Sequence, residues 1–171
     1  MYANTHLALT KSADFGDDKK TLINILEKSS DVSDKKVSFY KKIIENHKDL
    51  WRSEKQLKWY KNRLEQYGRA LSTASGNARV LPFRMKTVSP LLIGHGGSSV
   101  LETSLTLHRI YGTPFIPGSA LKGLATHYCH QVLGVENEAF LSGHKYYMAL
   151  FGSKSQAGYI HFHDAWMTPD S

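Results

Sequence analysis

A single cysteine, Cys129, among 171 residues leaves no intramolecular disulfide and no zinc site built on cysteine pairs. Long apolar runs are missing as well. None approaches the roughly 20 residues of a membrane span, and the N-terminus lacks a signal-peptide pattern, so the expected compartment is the cytoplasm. Neither a nucleotide P-loop with its Gly-Lys-Ser/Thr nor a dinucleotide fingerprint is present, and neither paired carboxylates nor a serine-nucleophile motif accompanies the nine histidines. Catalysis is therefore not indicated, and no cofactor is expected. Acidic residues are also in deficit, 15 against 22 Lys+Arg, for a net charge of +7. The imbalance is local: residues 1–80 hold 16 Lys+Arg against 10 Asp+Glu, and residues 81–171 hold 6 against 5. That points to an acidic partner such as nucleic acid, or to a solvated basic helix face.

What is present is enough apolar material, 41% hydrophobic with three tryptophans, for one domain and an appendage. The chain turns on the stretch from Tyr111 to Leu124, Tyr-Gly-Thr-Pro-Phe-Ile-Pro-Gly-Ser-Ala-Leu-Lys-Gly-Leu. It reads as strand end, tight loop and helix start. Ser119 is the expected N-cap, and Leu121, Leu124, Ala125, Tyr128 and Val132 form the apolar stripe of a helix of about four turns ending at Gly134. Two residues resist a purely structural reading. Lys122 would lie in the first turn, where the helix dipole disfavours a cation, and Gly123 would lie inside the helix at a cost of roughly 1 kcal/mol relative to alanine. First-turn amides, a lysine and a missing side chain suit a docked phosphate; a solvated lysine and a glycine kept for packing are the alternative.

Upstream, Asp17 and Asp18 can cap a short helix through Lys28, with Leu22, Ile25 and Leu26 as its stripe; Met1 to Thr10 extends or pairs as an edge strand. From Asp34 to Leu71 there is no proline and only Gly68, while Tyr40, Ile43, His47, Leu50, Leu57, Leu64 and Tyr67 recur at helical spacing. One long helix, or two with a bend, is expected. Trp51, Trp59 and Tyr60 are too much aromatic surface for an isolated helix and should pack. The other face carries Lys41, Lys42, Lys48, Arg52, Lys55, Lys58, Lys61 and Arg63. It could touch an RNA backbone, aided by aromatics, but the wet side of a packed helix is the preferred reading. Ser72 to Asn77 is a linker by composition, which divides a basic helical region, 1–79, from a second region, 80–171.

In the second region Val80 to Leu92 alternates Phe83 and Met85 against Arg84 and Lys86, as a strand with a basic outer face would. A glycine-rich loop holding His95, Gly96 and Gly97 follows, and Leu101 to Leu107 alternates again. The loop would let an RNA backbone or a neighbouring subunit come near, and His95 is the best single candidate for a general base. Beyond the central helix, Glu136 to Phe151 reads as one or two short helices interrupted near Gly143, Phe151 to Gly158 as a turn, and Tyr159 to Trp166 as a strand. His161 and His163 with Asp164 could begin a metal site. Without a third ligand at proper spacing, histidines on a sheet face are preferred.

The order of motifs from Val88 onward resembles the RAMP superfamily of CRISPR-associated RNA-binding proteins, and within it the sixth-subunit family of Cmr (type III-B) effector complexes. The resemblance rests on Ser89-Pro-Leu-Leu-Ile-Gly-His-Gly96 with Gly97, Leu101 to His108, Tyr111 to Gly123 with its Pro-Gly-Ser-Ala-Leu-Lys-Gly, Phe151-Gly-Ser153, and Ala157-Gly158 through Asp164-Ala165. It implies an α+β chain: a ferredoxin-like, RRM-related RAMP domain behind a helical N-terminal region. About three strands are counted where such a unit has four, so the chain is expected to be C-terminally incomplete. The implied function is a non-catalytic subunit that caps the complex's backbone near the 3′ side of the CRISPR guide RNA and helps bind target RNA in antiviral defence, beside the other Cmr subunits. Arg84, Lys86, His95, Gly96, Gly97, Arg109, Gly118, Ser119, Lys122 and Gly123 are the expected RNA contacts. A RAMP endoribonuclease acting on precursor guide RNA, with His95 or His108 as the acid-base residue, and a purely structural subunit are the alternatives.

Overall fold

The computed structural model describes residues 32–94 and 106–169. The expected helix from Asp17 to Lys28, the segment Met1 to Thr10, the loop residues His95, Gly96 and Gly97, and most of the extended run from Leu101 lie outside the described residues. The described chain is mixed α and β and divides into two compact units, one holding 32–94, 106–114 and 167–169, the other Phe115–Trp166. No helix among the described residues is long and apolar enough to cross a membrane.

The long helical periodicity resolves into two helices, α1 (Val32–Arg52) and α2 (Glu54–Ala74). Between them Ser53 is extended, with φ −75° and ψ 114°. One extended residue breaks the ladder, Leu57 N–H restarts it on the Ser53 carbonyl at 3.0 Å, and the two helices pack on each other. Ile43 is buried, with His47 and Trp51 half-buried at successive four-residue steps on α1; Tyr60 is buried on α2 between half-buried Leu57 and Leu64. These are the spacings that bring side chains onto one helix face. Trp51 meets Tyr60 edge to face with ring centres 4.9 Å apart, and the Tyr60 hydroxyl donates to the Met167 carbonyl at 2.8 Å.

Two expected strands change. Val80 to Leu92 forms no strand: Phe83 is 72% exposed and Val88 99%, and Arg84 and Lys86 are exposed beside them. Alternation gives a chain the capacity to pair, but a strand exists only where another segment accepts its N–H and C=O groups, and among the described residues none does. After Thr106, whose hydroxyl donates to the Ile93 carbonyl at 3.0 Å, Leu107 bridges Pro114 across a turn closed by His108 N–H on Thr113 C=O at 2.8 Å and Gly112 N–H on His108 C=O at 2.7 Å.

The second unit opens and closes with one antiparallel pair, β1 (Phe115–Ile116) and β2 (Ala165–Trp166), Phe115 opposite Trp166. The expected strand from Tyr159 is thus reduced to its last two residues. Of the expected inward residues only Phe162 is half-buried; Ile160 is 41% exposed, and Tyr159, His161 and His163 are exposed as well. Between the strands run α3 (Gly118–Tyr128), a π turn at Cys129–Leu133, an α turn through Glu136, a 3-10 turn at Glu138–Phe140 and α4 (Lys145–Phe151). Gly134 is therefore not a helix end. It is buried inside the turn, where a Cβ would sit 2.6 Å from the Leu141 side chain. The expected apolar stripe is also different: Leu124 is 67% exposed and Tyr128 56%, Leu121 and Ala125 are half-buried, and Cys129 in the π turn is buried.

Candidate nucleic-acid interface

The Pro-Gly-Ser-Ala-Leu-Lys-Gly element sits at the start of α3, and its geometry departs from sequence expectation at the cap. Pro117 is the N-cap, and Ser119, one residue into the helix, is exposed and caps nothing. Asp164 takes that role from 46 residues away: its carboxylate accepts the Gly118 N–H at 2.7 Å. A carboxylate at a helix N-terminus satisfies an otherwise orphaned donor and meets the positive end of the dipole. The backbone that carries it passes so close that a Cβ on Gly118 would collide with the Phe162 carbonyl oxygen. Glycine at 118 thus follows from the passage of residues 162–163 over the helix start.

Lys122 moves with the cap. It is the fifth residue of α3, and its Nζ donates to the Phe151 carbonyl at 2.7 Å. That carbonyl is one of the four that end α4, and all four find partners. Met148 C=O accepts from Gly152 N–H at 2.9 Å, Ala149 from Tyr159 at 2.8 Å, Leu150 from Ile160 at 3.1 Å, and Phe151 from the lysine. A cation at a helix C-terminus is favourable, so the dipole that would oppose Lys122 at the start of its own helix supports it at the end of another. The Phe-Gly-Ser and Ala-Gly segments belong to the same device. Gly152 bridges Ala157, and a Cβ on Gly158 would stand 2.5 Å from the Gly152 nitrogen and the Leu150 oxygen. Gly123 is the exception, because a Cβ there meets nothing within 4 Å. Its missing side chain has no use inside the described structure, and Lys122 keeps two further donors.

Gly118, Ser119, Lys122 and Gly123 therefore come together on α3, with Asp164 a participant that no local signal in the sequence announces. Arg84, Lys86 and Arg109 belong to the other unit and are exposed there, the first two on the unpaired segment and Arg109 in the turn before Tyr111. His108 has structural work in that turn: its Nδ1 lies 3.3 Å from the Ile110 N–H and 3.4 Å from the Tyr111 N–H, and its ring stacks on Tyr111 at 4.4 Å. No three of His, Cys, Asp and Glu gather as metal ligands among the described residues. Cys129 is a small core residue, 3% exposed, and burial pushes its thiol up from the ordinary value.

The RAMP superfamily profile matches residues 84–170, about half the chain and the part that holds all of these contacts. The chain belongs to the RAMP superfamily. It is also 52% identical over 50 residues to the CRISPR system Cmr subunit Cmr6 of Pyrococcus furiosus. That match covers 29% of this chain and 15% of the relative, so the chain spans a small part of the relative's length. The RAMP match includes Gly118, Lys122, Phe151, Gly152, Gly158 and Asp164, the residues whose mutual fit has just been described.

Proposed function

We propose that this RAMP chain is a non-catalytic, guide-RNA-binding subunit of a type III-B CRISPR (Cmr) effector complex, acting in the cytoplasm. The observation that carries the proposal is the 52% identity to a Cmr subunit in a chain whose 84–170 region matches the RAMP superfamily. In this reading the domain is ferredoxin-like, caps the complex's backbone near the 3′ side of the guide, and meets target RNA beside the other Cmr subunits. Recognition is of backbone and shape, because base pairing reads the sequence in guide complexes. Phosphates would be held by Ser119 and the remaining Lys122 donors, with Gly123 leaving room for close approach and Arg84, Lys86, Arg109 and the His95–Gly97 loop contributing charge and backbone amides.

The alternative is an endoribonuclease on precursor guide RNA with His95 or His108 as the acid-base residue; two backbone N–H groups face His108 Nδ1, so such a role would fall to its Nε2. The two readings separate in one assay. Incubated with single-stranded guide RNA without divalent metal, the chain should bind and leave the RNA intact. Cleavage products would establish the nuclease, and the absence of any salt-dependent binding would remove the RNA-binding reading altogether.

A further inference from the structure

The packing of the helical unit leaves one large ring incompletely used. Tyr60 is buried, Trp51 and Tyr111 are half-buried, yet Trp59 is 41% exposed, although it meets Tyr111 at a steep angle with ring centres 5.2 Å apart. Beside it lies a shallow, open crevice lined by Trp51, Gln56, Trp59, Tyr60 and Tyr111. An exposed tryptophan alone means little. Its neighbours on the helix give it meaning. Lys55 and Gln56 stand one turn before Trp59, Asn62 and Arg63 one turn after, and all four are exposed. The Arg63 guanidinium lies 5.9 Å from the Trp59 ring centre and is held there in part by Gln66, at 2.9 Å. From Lys55 to Arg63 the chain has four cations and no acid, whereas Arg52 on α1 already pairs with Asp49 at 3.4 Å.

We infer that the Trp59 face of α2 is a stacking platform for an unpaired nucleobase of single-stranded RNA, with Lys55 and Arg63 on the flanking phosphates and Gln56 at the base edge. An aromatic face set among cations is what sequence-tolerant binding of single strands requires, because every base has a π-face and every nucleotide a phosphate. A wet basic face explains the lysines but leaves unexplained an indole beside an open crevice with an amide on its wall. The ligand is single-stranded because stacked, paired bases cannot splay onto a side chain. The inference rests on the RNA-binding reading above for the class of ligand, and it adds a contact in the unit that the RAMP match mostly leaves out.

The test uses the full chain and a short oligouridine at two salt concentrations. Trp59→Leu should weaken binding roughly 5- to 100-fold, with the salt dependence unchanged because no phosphate contact is lost. Trp59→Phe should keep most of the affinity, and Lys55→Gln with Arg63→Gln should lower the log-log salt slope by about 1.4. A Trp59→Leu chain that is folded by circular dichroism and binds as tightly as the parent overturns the inference, even where it loses a protein partner. If that variant does not fold, a Trp51→Phe, Trp166→Phe chain decides by fluorescence: Trp59 must be quenched at saturating oligouridine, and an unquenched signal overturns the inference. Lys122→Ala measured in parallel separates the two readings. Loss there with none at Trp59 sinks the stacking site and keeps the proposed function, the reverse keeps the stacking site and removes the α3 phosphate contact, and failure of the parent chain to bind removes both.

Discussion

The helical unit and the Phe115–Trp166 unit cohere by different means. Around Tyr60 the first is held by rings: Trp51 at 4.9 Å and Tyr111 at 5.6 Å, both edge to face, with the buried hydroxyl directed to Met167. Such contacts are largely apolar and tolerate swaps that conserve volume better than those that change it. The second buries little more than Cys129 and Phe151 among its described residues and is organised instead by backbone groups finding partners. Gly118 N–H has Asp164, the last carbonyls of α4 have Gly152, Tyr159, Ile160 and Lys122, and two glycines lie against each other where side chains would not fit. A ring core is legible as periodicity; a backbone lattice is legible only as a motif.

The comparison is broken most severely by removing a ring. Tyr60→Ala should destabilise the helical unit by about 4 kcal/mol, the usual loss for an aromatic side chain deleted from a core, read as a lowered denaturant midpoint. Protection of the Phe115–Trp166 amides against hydrogen exchange should change less, since that unit does not contain the ring cluster. Gly118→Ala is the counterpart in the second unit. One methyl group against the Phe162 carbonyl should cost about 3 kcal/mol and expose the α3 amides to exchange. If alanine at 118 is neutral, the close passage of residues 162–163 is not what requires glycine there.

Those two substitutions also show where the sequence was readable. The inward stripe through Ile43, His47, Leu57, Leu64 and Tyr67 follows directly from spacing, because helix periodicity is local. The single extended residue Ser53 is not signalled by any glycine or proline. The missing strand over 80–92 fails for the opposite reason, since pairing is a property of two segments and alternation describes only one. At α3 the misfit of Lys122 was visible, but its partner Phe151 is 29 residues away, and the cap shifted from Ser119 to Pro117 because Asp164, 46 residues downstream, occupies the first amide. The motif could be recognised as a unit while the reason for each residue stayed hidden until the chain closed on itself.

Smaller effects sharpen the picture on α3. Lys122→Ala removes the partner of the Phe151 carbonyl and should lower stability by about 1 kcal/mol, the net worth of a hydrogen bond to a charged group discounted for its exposure. Were the thermal midpoint to stay put, the lysine would have no structural share and the ligand role alone would account for it. Gly123→Ala runs the other way. With nothing within 4 Å of the added methyl, helix propensity alone predicts a gain of about 0.8 kcal/mol, and a loss would mean that the helix is not continuous there. Should the same substitution weaken RNA binding while raising stability, the open space above residue 123 belongs to the ligand.

The smallest effect is a dependence on pH confined to the helical unit. His47 is half-buried on α1 with its ring 6.0 Å from Trp51, and burial holds its imidazole below the ordinary value of 6.5. Between the lowered value in the folded chain and 6.5 in the unfolded chain, the unfolded state binds the proton and the folded state does not, so stability rises with pH through that window. Acidification should therefore loosen α1 against α2, first as pH falls below 6.5 and no further once it has passed the folded-state value. His47→Gln should flatten this slope without changing the response of the Phe115–Trp166 unit, which does not contain it. Melting curves of parent and variant across that pH window make the comparison, with amide exchange assigning the change to a unit. Parallel curves would show that His47 gains its proton equally well in both states and that its contact with Trp51 does not depend on charge.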